Sequence, residues 1–469
     1  MSTEAETLLR RVPGSFRDAT GRVYEHGGEI LRALSEQGAA DAHAVLEAEF
    51  FRRAVAEGRM VATEPAGPAG RAAIVELGWS EALRHERIPV VSHPYEWSFS
   101  MLRDAAVLHL ELVADALRED VGCKDGSAYN VQFVGASPRF IDVGSFHPGA
   151  ADGWPGHRQF CQLFLFPLLV EAHLGTSFAP WLRGSIEGIA LDDAARLLRG
   201  RDLLRRGVLT HVALQAAVAR RAARRADGGE GSLASSASRR QVAIGLVDRL
   251  LRLLHRLEAP AGTTAWSDYG PRGHYERAAL EAKEALVQRV VAATAPRTVV
   301  DLGCNDGHFA ELAVRAGARV VAVDADRQVV DRLYLRTRGS GRPILPLVAD
   351  LADPSPALGW GLRERASLPD RLRSDLVLSL ALIHHLVIGR NIPIRELVDE
   401  LAALGPVHVV EVPHRRDPMV QRLLAAKPPG THDDYRRSIL LRHLAARFEI
   451  LEEVELAGGT RTLLHLRIR

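Results

Sequence analysis

The chain has 469 residues, 47% hydrophobic and 25% charged, a globular composition too long for one ordinary core, so two or three domains are expected. Its 60 Lys and Arg against 58 Asp and Glu leave a formal charge of +2, which excludes a global field drawing it onto nucleic acid or an anionic membrane. Three cysteines, Cys123, Cys161 and Cys304, far apart and without a C-x-x-C pair, argue against a disulfide framework and a zinc knuckle and point to a reducing compartment.

The first residues carry Glu4, Glu6, Arg10 and Arg11 with no apolar stretch, so no secretory signal is expected. The most apolar run, residues 164–170, is broken by Pro167 and is too short to span a bilayer. A cytoplasmic protein with no membrane span is the expectation. Gly21-Arg-Val-Tyr-Glu-His-Gly27-Gly28-Glu-Ile-Leu-Arg32 reads as a β-hairpin with a Gly-Gly turn. The aromatic clusters at His93-Pro-Tyr95-Glu96-Trp97-Ser-Phe99 and in residues 154–167 read as core packing or as the lining of a pocket for a bulky acceptor.

Lys124-Asp125-Gly-Ser-Ala-Tyr-Asn130 is followed by Pro138-Arg-Phe-Ile-Asp142, with Asp125 and Asn130 five apart and Asp142 twelve further on. This spacing resembles the catalytic-loop Asp and Asn and the metal-holding Asp of protein-kinase-like folds. The resemblance implies that one aspartate orients an acceptor while the other two residues hold magnesium. No glycine-rich phosphate loop is present, and Arg32 stands where a phosphate-pairing lysine is wanted, a place for which a planar guanidinium is no substitute. The first half is therefore expected to be α+β, a degenerate kinase-like accessory or substrate domain. An active kinase and an unrelated α+β domain are the alternatives.

The basic run of residues 201–225 reads as the solvated face of a helix in preference to an RNA-binding one. Residues 226–240, rich in Gly, Ser and Ala, read as a flexible linker. This divides the chain into domains 1–225 and 241–469. Leu246, Leu250, Leu253, Leu254 and Leu257 recur at helical spacing before Pro260, predicting a helix that enters the second domain. Trp266, Tyr269 and Tyr275 follow, as an aromatic lid or as core.

From residue 297 the pattern changes. Apolar, β-branched runs at Thr298–Leu302, 319–323, Ile344–Val348, 374–380, 407–412 and 462–468 are separated by helix-length segments, predicting a doubly wound, mainly parallel sheet with a binding crevice at the carboxyl ends of its strands. The first run leads into Asp301-Leu302-Gly303-Cys304-Asn305-Asp306-Gly307, the second ends in Asp324, 23 residues after Asp301, and the third reaches Ala349-Asp350-Leu351. A glycine turn lets backbone approach a ligand closely. The Asp324 carboxylate suits a ribose diol, and Asp350 with Leu351 suits the edge and face of an adenine. A nicotinamide or flavin site wants glycines two and five places after its first, where this chain has Asn305 and His308. S-adenosylmethionine (SAM), with its ribose, adenine and methionine arm, fits better.

The fourth run leads into His384-His385, either of which could act as a base near neutral pH or merely shape the pocket. His384, His385, Glu411 and His414 could suit a divalent cation, but no tight ligand spacing supports one and no metal is assigned.

On these residues, 271–469 is similar to the class I SAM-dependent methyltransferases. Asp301-x-Gly303-x-Asn305-x-Gly307 resembles their first motif, Asp324 the acid ending their second strand and Ala349-Asp350 their third motif; Asn305 departs from the usual glycine. The resemblance implies SAM as cofactor, held by Asp301, Gly303, Cys304, Asn305, Gly307, Asp324, Asp350 and Leu351. It also implies a seven-stranded Rossmann-like sheet whose last strand, 462–468, is antiparallel. The whole chain further resembles a bacterial group of two-part methyltransferases in which Pro94-Tyr-Glu-Trp97, Lys124-Asp-x-Ser-Ala-Tyr-Asn-x-Gln-Phe133, Ala381-Leu-Ile-His-His-Leu386 and Asn391-Ile-Pro393 recur. The function expected is methyl transfer to an oxygen or nitrogen of a small molecule, glycan or natural-product intermediate, with His384 or His385 catalytic. A non-catalytic SAM-binding scaffold and a bifunctional kinase-methyltransferase are the alternatives. No basic stripe with interleaved aromatics argues for a nucleic-acid partner. The residues name neither the acceptor nor the oligomeric state.

Overall fold

A computed structural model describes residues 8–223, 236–260 and 277–469. The expected aromatic lid of Trp266, Tyr269 and Tyr275, and residues 226–235 of the expected linker, lie outside the described residues. The described chain groups into two units. The first takes residues 8–134, 138–223, 236–260 and Leu358–Arg365; the second takes 135–137, 277–357 and 366–469.

The first unit opens with five strands, β1 (Arg10–Arg11), β2 (Gly21–His26), β3 (Glu29–Leu34), β4 (Thr63–Pro65) and β5 (Glu81–His85), in the antiparallel order β1-β2-β3-β5-β4. β2 and β3 form the hairpin expected at Gly27-Gly28, where both glycines take positive φ, +57° and +81°; that is where a side chain would be strained. A largely helical part follows, built around the helix Phe99–Arg118, whose N-cap Ser98 accepts from the Met101 N–H. Two short antiparallel pairs accompany it: β6 (Val121–Cys123) with β9 (Phe146–Pro148), and β7 (Val131–Val134) with β8 (Ser137–Phe140). This is the α+β architecture expected. Tyr95, Trp97, Phe99 and Trp154 are buried, as is His109, which sits among Phe140, Trp154, Phe160 and Phe164. The aromatic clusters therefore serve the core.

The helix Ser236–Leu254, whose leucines suggested entry into the second domain, packs along Phe99–Arg118 in the first unit. Val247, Leu250 and Leu254 are buried there, and Arg240 pairs with Asp120 at 2.7 Å. The periodicity defined an apolar face correctly, and no feature of such a face identifies what it covers. Leu358–Arg365 also belongs to the first unit although its neighbours in sequence belong to the second. Glu364 receives two hydrogen bonds from Arg17, at 2.6 and 3.0 Å, and Arg365 donates to the Tyr129 hydroxyl at 2.7 Å.

The second unit is a seven-stranded sheet of β10 (Thr298–Leu302), β11 (Arg319–Asp324), β12 (Ile344–Val348), β13 (Leu376–Ser379), β14 (Val407–Pro413), β15 (Phe448–Glu455) and β16 (Arg461–Ile468). Their order is β12-β11-β10-β13-β14-β16-β15. β10 to β14 run parallel and β16 runs antiparallel to both neighbours. The parallel strands read as continuous apolar runs because helices cover both faces; Val299, Val320, Ile344, Leu376 and Val409 are all 2% exposed or less. This is the seven-stranded Rossmann-like sheet with an antiparallel last strand that was expected. The sequence pattern missed one strand, β15, whose FEILEEVE alternates buried or half-buried with exposed residues at the sheet edge. An edge strand needs only one apolar face and carries charges on the other.

The direction of winding reverses between β10 and β13, both paired to each other at the centre. Loops leaving their carboxyl ends diverge and open a crevice there. Among the described residues, no helix is long and apolar enough to cross a membrane.

Candidate functional site

At that crevice lies a cavity of about 1060 Å³, the size of a pocket for a nucleoside-sized ligand together with part of a second molecule. Its lining includes Asp301, Gly303, Cys304, Asn305, Asp324, Asp350, Leu351, His384 and His385. Nine of the ten residues singled out from the sequence thus converge. Gly307 does not line the cavity: it precedes the helix His308–Arg315 at φ +75°, and a Cβ there would lie 2.7 Å from Leu333 Cδ1. Its part is to let the helix pack closely.

The turn after β10 is drawn tightly against β11. Gly303 and Cys304 N–H both donate to the Val323 carbonyl, at 2.8 and 3.1 Å, and Asn305 N–H donates to Asp324 Oδ2 at 3.0 Å. Gly303 has φ +73° and Asn305 +47°. Asn is among the few side chains that tolerate this left-handed backbone, which explains how it stands where the related motif has glycine. Asp326 N–H donates to Asp324 Oδ1 at 2.9 Å, so two amides orient the Asp324 carboxylate at the cavity wall. Burial raises its pKa above the ordinary carboxylate value.

Asp301 is 2% exposed and its Oδ2 has no hydrogen-bond partner among the described residues. Burial, reinforced by Asp324, pushes its carboxyl up to about 7. A buried carboxylate oxygen lacking a donor is costly, and a cationic ligand group in the cavity would relieve it. Asp350 accepts from Ala352 N–H at 2.9 Å and pairs with Arg390. Cys304 is buried with its thiol pushed far up by burial, so it contributes shape and not nucleophilicity.

The two histidines differ. A left-handed Ala381, φ +54°, turns the chain out of β13 toward the π-helical turn His385–Gly389, a distortion often found at functional sites. His384 is 1% exposed, its Nδ1 has no partner among the described residues, and burial drives its pKa down to about 2. His385 is half-buried, its ring 4.0 Å from that of His384, with burial lowering its pKa to about 4.

Beneath them runs a buried ion chain that the sequence reading did not assemble. Lys283 Nζ lies 2.8 Å from Glu411 Oε2, Arg461 lies 3.0 Å from Glu411 Oε1, and Arg461 reaches Asp417 at 2.6 and 3.2 Å. Asp417 also caps the helix Pro418–Ala425, accepting from Met419 and Val420 N–H. The antiparallel register pairs Glu411 with Leu463 and Pro413 with Arg461, which puts Glu411 and Arg461 on one face as diagonal neighbours. One signal was available: Lys283 falls on the apolar stripe of the helix Arg277–Thr294, in line with Ala279, Leu286, Val287 and Val290, where a solvated lysine has no place. The metal candidates part company. Glu411 is taken by two cations, and His414 Nε2 lies 2.7 Å from Thr462 Oγ1. Among the described residues no group of three or more His, Cys, Asp or Glu side chains is arranged to hold a metal ion.

No family model matches the chain. Among solved structures, the N-methyltransferase NodS from Bradyrhizobium japonicum WM9 is 15% identical, covering 41% of this chain and 98% of that one, with a TM-score of 0.31. WbdD is 18% identical, covering 44% of this chain and 43% of its own, with a TM-score of 0.31. Nodulation protein NoeA of Rhizobium meliloti (strain 1021) is 33% identical over 460 residues, which span 97% of this chain and 95% of that protein. On that near-complete alignment, the chain belongs to the family of nodulation protein NoeA.

Proposed function

We propose that the second unit is a SAM-dependent methyltransferase that moves a methyl group to an oxygen or nitrogen nucleophile of a small molecule or glycan. The observation that carries this reading is the convergence of Asp301, Asp324 and Asp350, from three adjacent strand ends, on one cavity behind a left-handed turn. The residues fit the cofactor part by part. Asp324, held by two amides, meets the ribose diol; Asp350 and Leu351 border the adenine; Asp301 Oδ2, buried without a donor, takes the methionine ammonium. Bound SAM supplies an electrophilic methyl on a sulfonium.

The transfer is an in-line displacement. The acceptor atom bonds to the methyl carbon, the carbon–sulfur bond breaks with its electron pair to sulfur, and the acceptor loses a proton. Holding the two reactants in line can supply about 7–11 kcal/mol of the barrier. His385, half-buried on the cavity wall and neutral above a pH of about 4, takes the acceptor proton. His384 lies behind it, and the Lys283–Glu411–Arg461–Asp417 chain braces the wall on which both stand. The relative in Rhizobium meliloti is called a nodulation protein, a name that specifies no acceptor.

Incubation with methyl-labelled SAM and fractionated small-molecule and oligosaccharide extracts tests the proposal. Label should pass to an acceptor with the parent chain and not with His385→Ala. Tight SAM binding with no label leaving SAM in any fraction would favour a scaffold.

A further inference from the structure

The resemblance of Asp125, Asn130 and Asp142 to a kinase-like centre implies magnesium and a nucleotide in the first unit, and the geometry there can be tested for both. The three side chains do come together. Ser145 Oγ lies 2.7 Å from Asp142 Oδ2 and 3.2 Å from Asp125 Oδ2, and Asn130 Nδ2 donates to it at 3.0 Å. A cation is also present, and it belongs to the chain: Arg32 Nη2 lies 2.5 Å from Asp142 Oδ1.

Arg32 is held from its other side as well. Its Nε donates to His85 Nε2 at 3.3 Å, and His85 Nδ1 lies 2.8 Å from Thr63 Oγ1, whose own proton goes to the Val61 carbonyl. That direction assigns the His85 proton to Nδ1 and leaves Nε2 as a neutral acceptor for Arg32. The sheet register explains the meeting: Arg32 pairs with Leu83 and Ile30 with His85, so Arg32 and His85 are diagonal neighbours on one face. Room for the guanidinium comes from Gly144, where a Cβ would stand 2.8 Å from Arg32 Nη1 and 3.5 Å from Asp142 Oδ1. The hollow beside it, lined by Asp18, Arg32, Lys124 and Gly144 among others, measures about 130 Å³, well below the roughly 300–1,000 Å³ of small-molecule sites.

We infer that the first unit's acidic centre is closed by Arg32, which stands as a resident cation on Asp142 where a kinase-like site takes its metal, so this unit carries no magnesium-nucleotide chemistry. Asp125, Asn130, Asp142 and Ser145 then work as a structural charge network that ties β3 to the chain between β6 and β9. The residues do not fit magnesium and a nucleotide, and no phosphoryl-transfer step is assigned to them. The conclusion is independent of the methyltransferase reading, since it rests only on residues of the first unit.

Electron paramagnetic resonance of Mn²⁺, titrated into the full chain with and without ATP, tests it. Without ATP the parent should leave the free Mn²⁺ signal unchanged into the millimolar range, and with ATP it should leave the signal as in a protein-free mixture of Mn²⁺ and ATP. Arg32→Ala should uncover Asp142 and raise Mn²⁺ affinity by at least about tenfold, a gain lost again in Arg32→Ala/Asp142→Asn. Circular dichroism establishes that each variant is folded, and Arg32→Gln serves if the alanine variant is not. The inference is overturned if the parent binds Mn²⁺–ATP and loses it with Asp142→Asn, or if the folded Arg32 variants gain no Mn²⁺ binding. The parent titration decides the first of these even where no variant folds.

Discussion

Replacing Asp301 by Asn should stabilise the SAM-free protein while abolishing SAM binding. The ordinary Asp value is 3.8, and in the fold burial pushes this carboxyl up to about 7. Between those values the folded chain holds a proton that the unfolded chain has lost, so the Asp301 contribution to stability falls as pH rises from about 4 to about 7 and is flat above. Three pKa units correspond to about 4 kcal/mol at the upper limit. Even a third of this would raise the melting temperature by roughly 3–5 °C in a domain of this size. Asn keeps the shape and removes the buried charge. Melting of SAM-free protein at pH 8 and pH 5 should show the Asp301→Asn variant more stable than the parent at pH 8, with a much smaller difference at pH 5. Parent affinity for SAM should fall about tenfold per unit below pH 7, as the carboxylate that meets the ammonium is lost. A variant that melts lower than the parent at pH 8, or that binds SAM as the parent does, would refute the reasoning.

Three further outcomes are expected. His385→Ala should lower kcat by about 10²–10⁴-fold with SAM affinity unchanged, and since His385 is pushed to about 4, kcat at saturating SAM should be level from pH 6 to 8. Lys283→Met leaves the buried Glu411 with Arg461 as its one cation among the described residues and should cost about 1–3 kcal/mol in denaturant unfolding, much of it recovered by adding Glu411→Gln. Gly307→Ala forces a Cβ to 2.7 Å from Leu333 at φ +75° and should destabilise by about 1–3 kcal/mol, seen as a lower melting temperature.

The parallel sheet was legible because its strands are buried on both faces, leaving uninterrupted apolar runs that begin and end within two residues of β10 to β14. The motif residues were legible because a ligand at strand ends demands a turn and acids at fixed places along one chain. β15 was not, since an edge strand buries only alternate residues. The ion chain of Lys283, Glu411, Asp417 and Arg461 was not either, because four separate segments supply it and only tertiary packing sets their distances. For Arg32, the sequence showed which residue was unexpected, and only the fold showed what it touches: His85 from a neighbouring strand and Asp142 from 110 residues away.

The central claim is that acids at successive strand ends form a SAM site. Isothermal titration of SAM into the full chain tests it most directly. One SAM per chain is expected, with the heat lost in Asp324→Ala while circular dichroism is unchanged. An absence of SAM binding to the parent, or an Asp324→Ala chain that binds SAM with parental affinity, would contradict it.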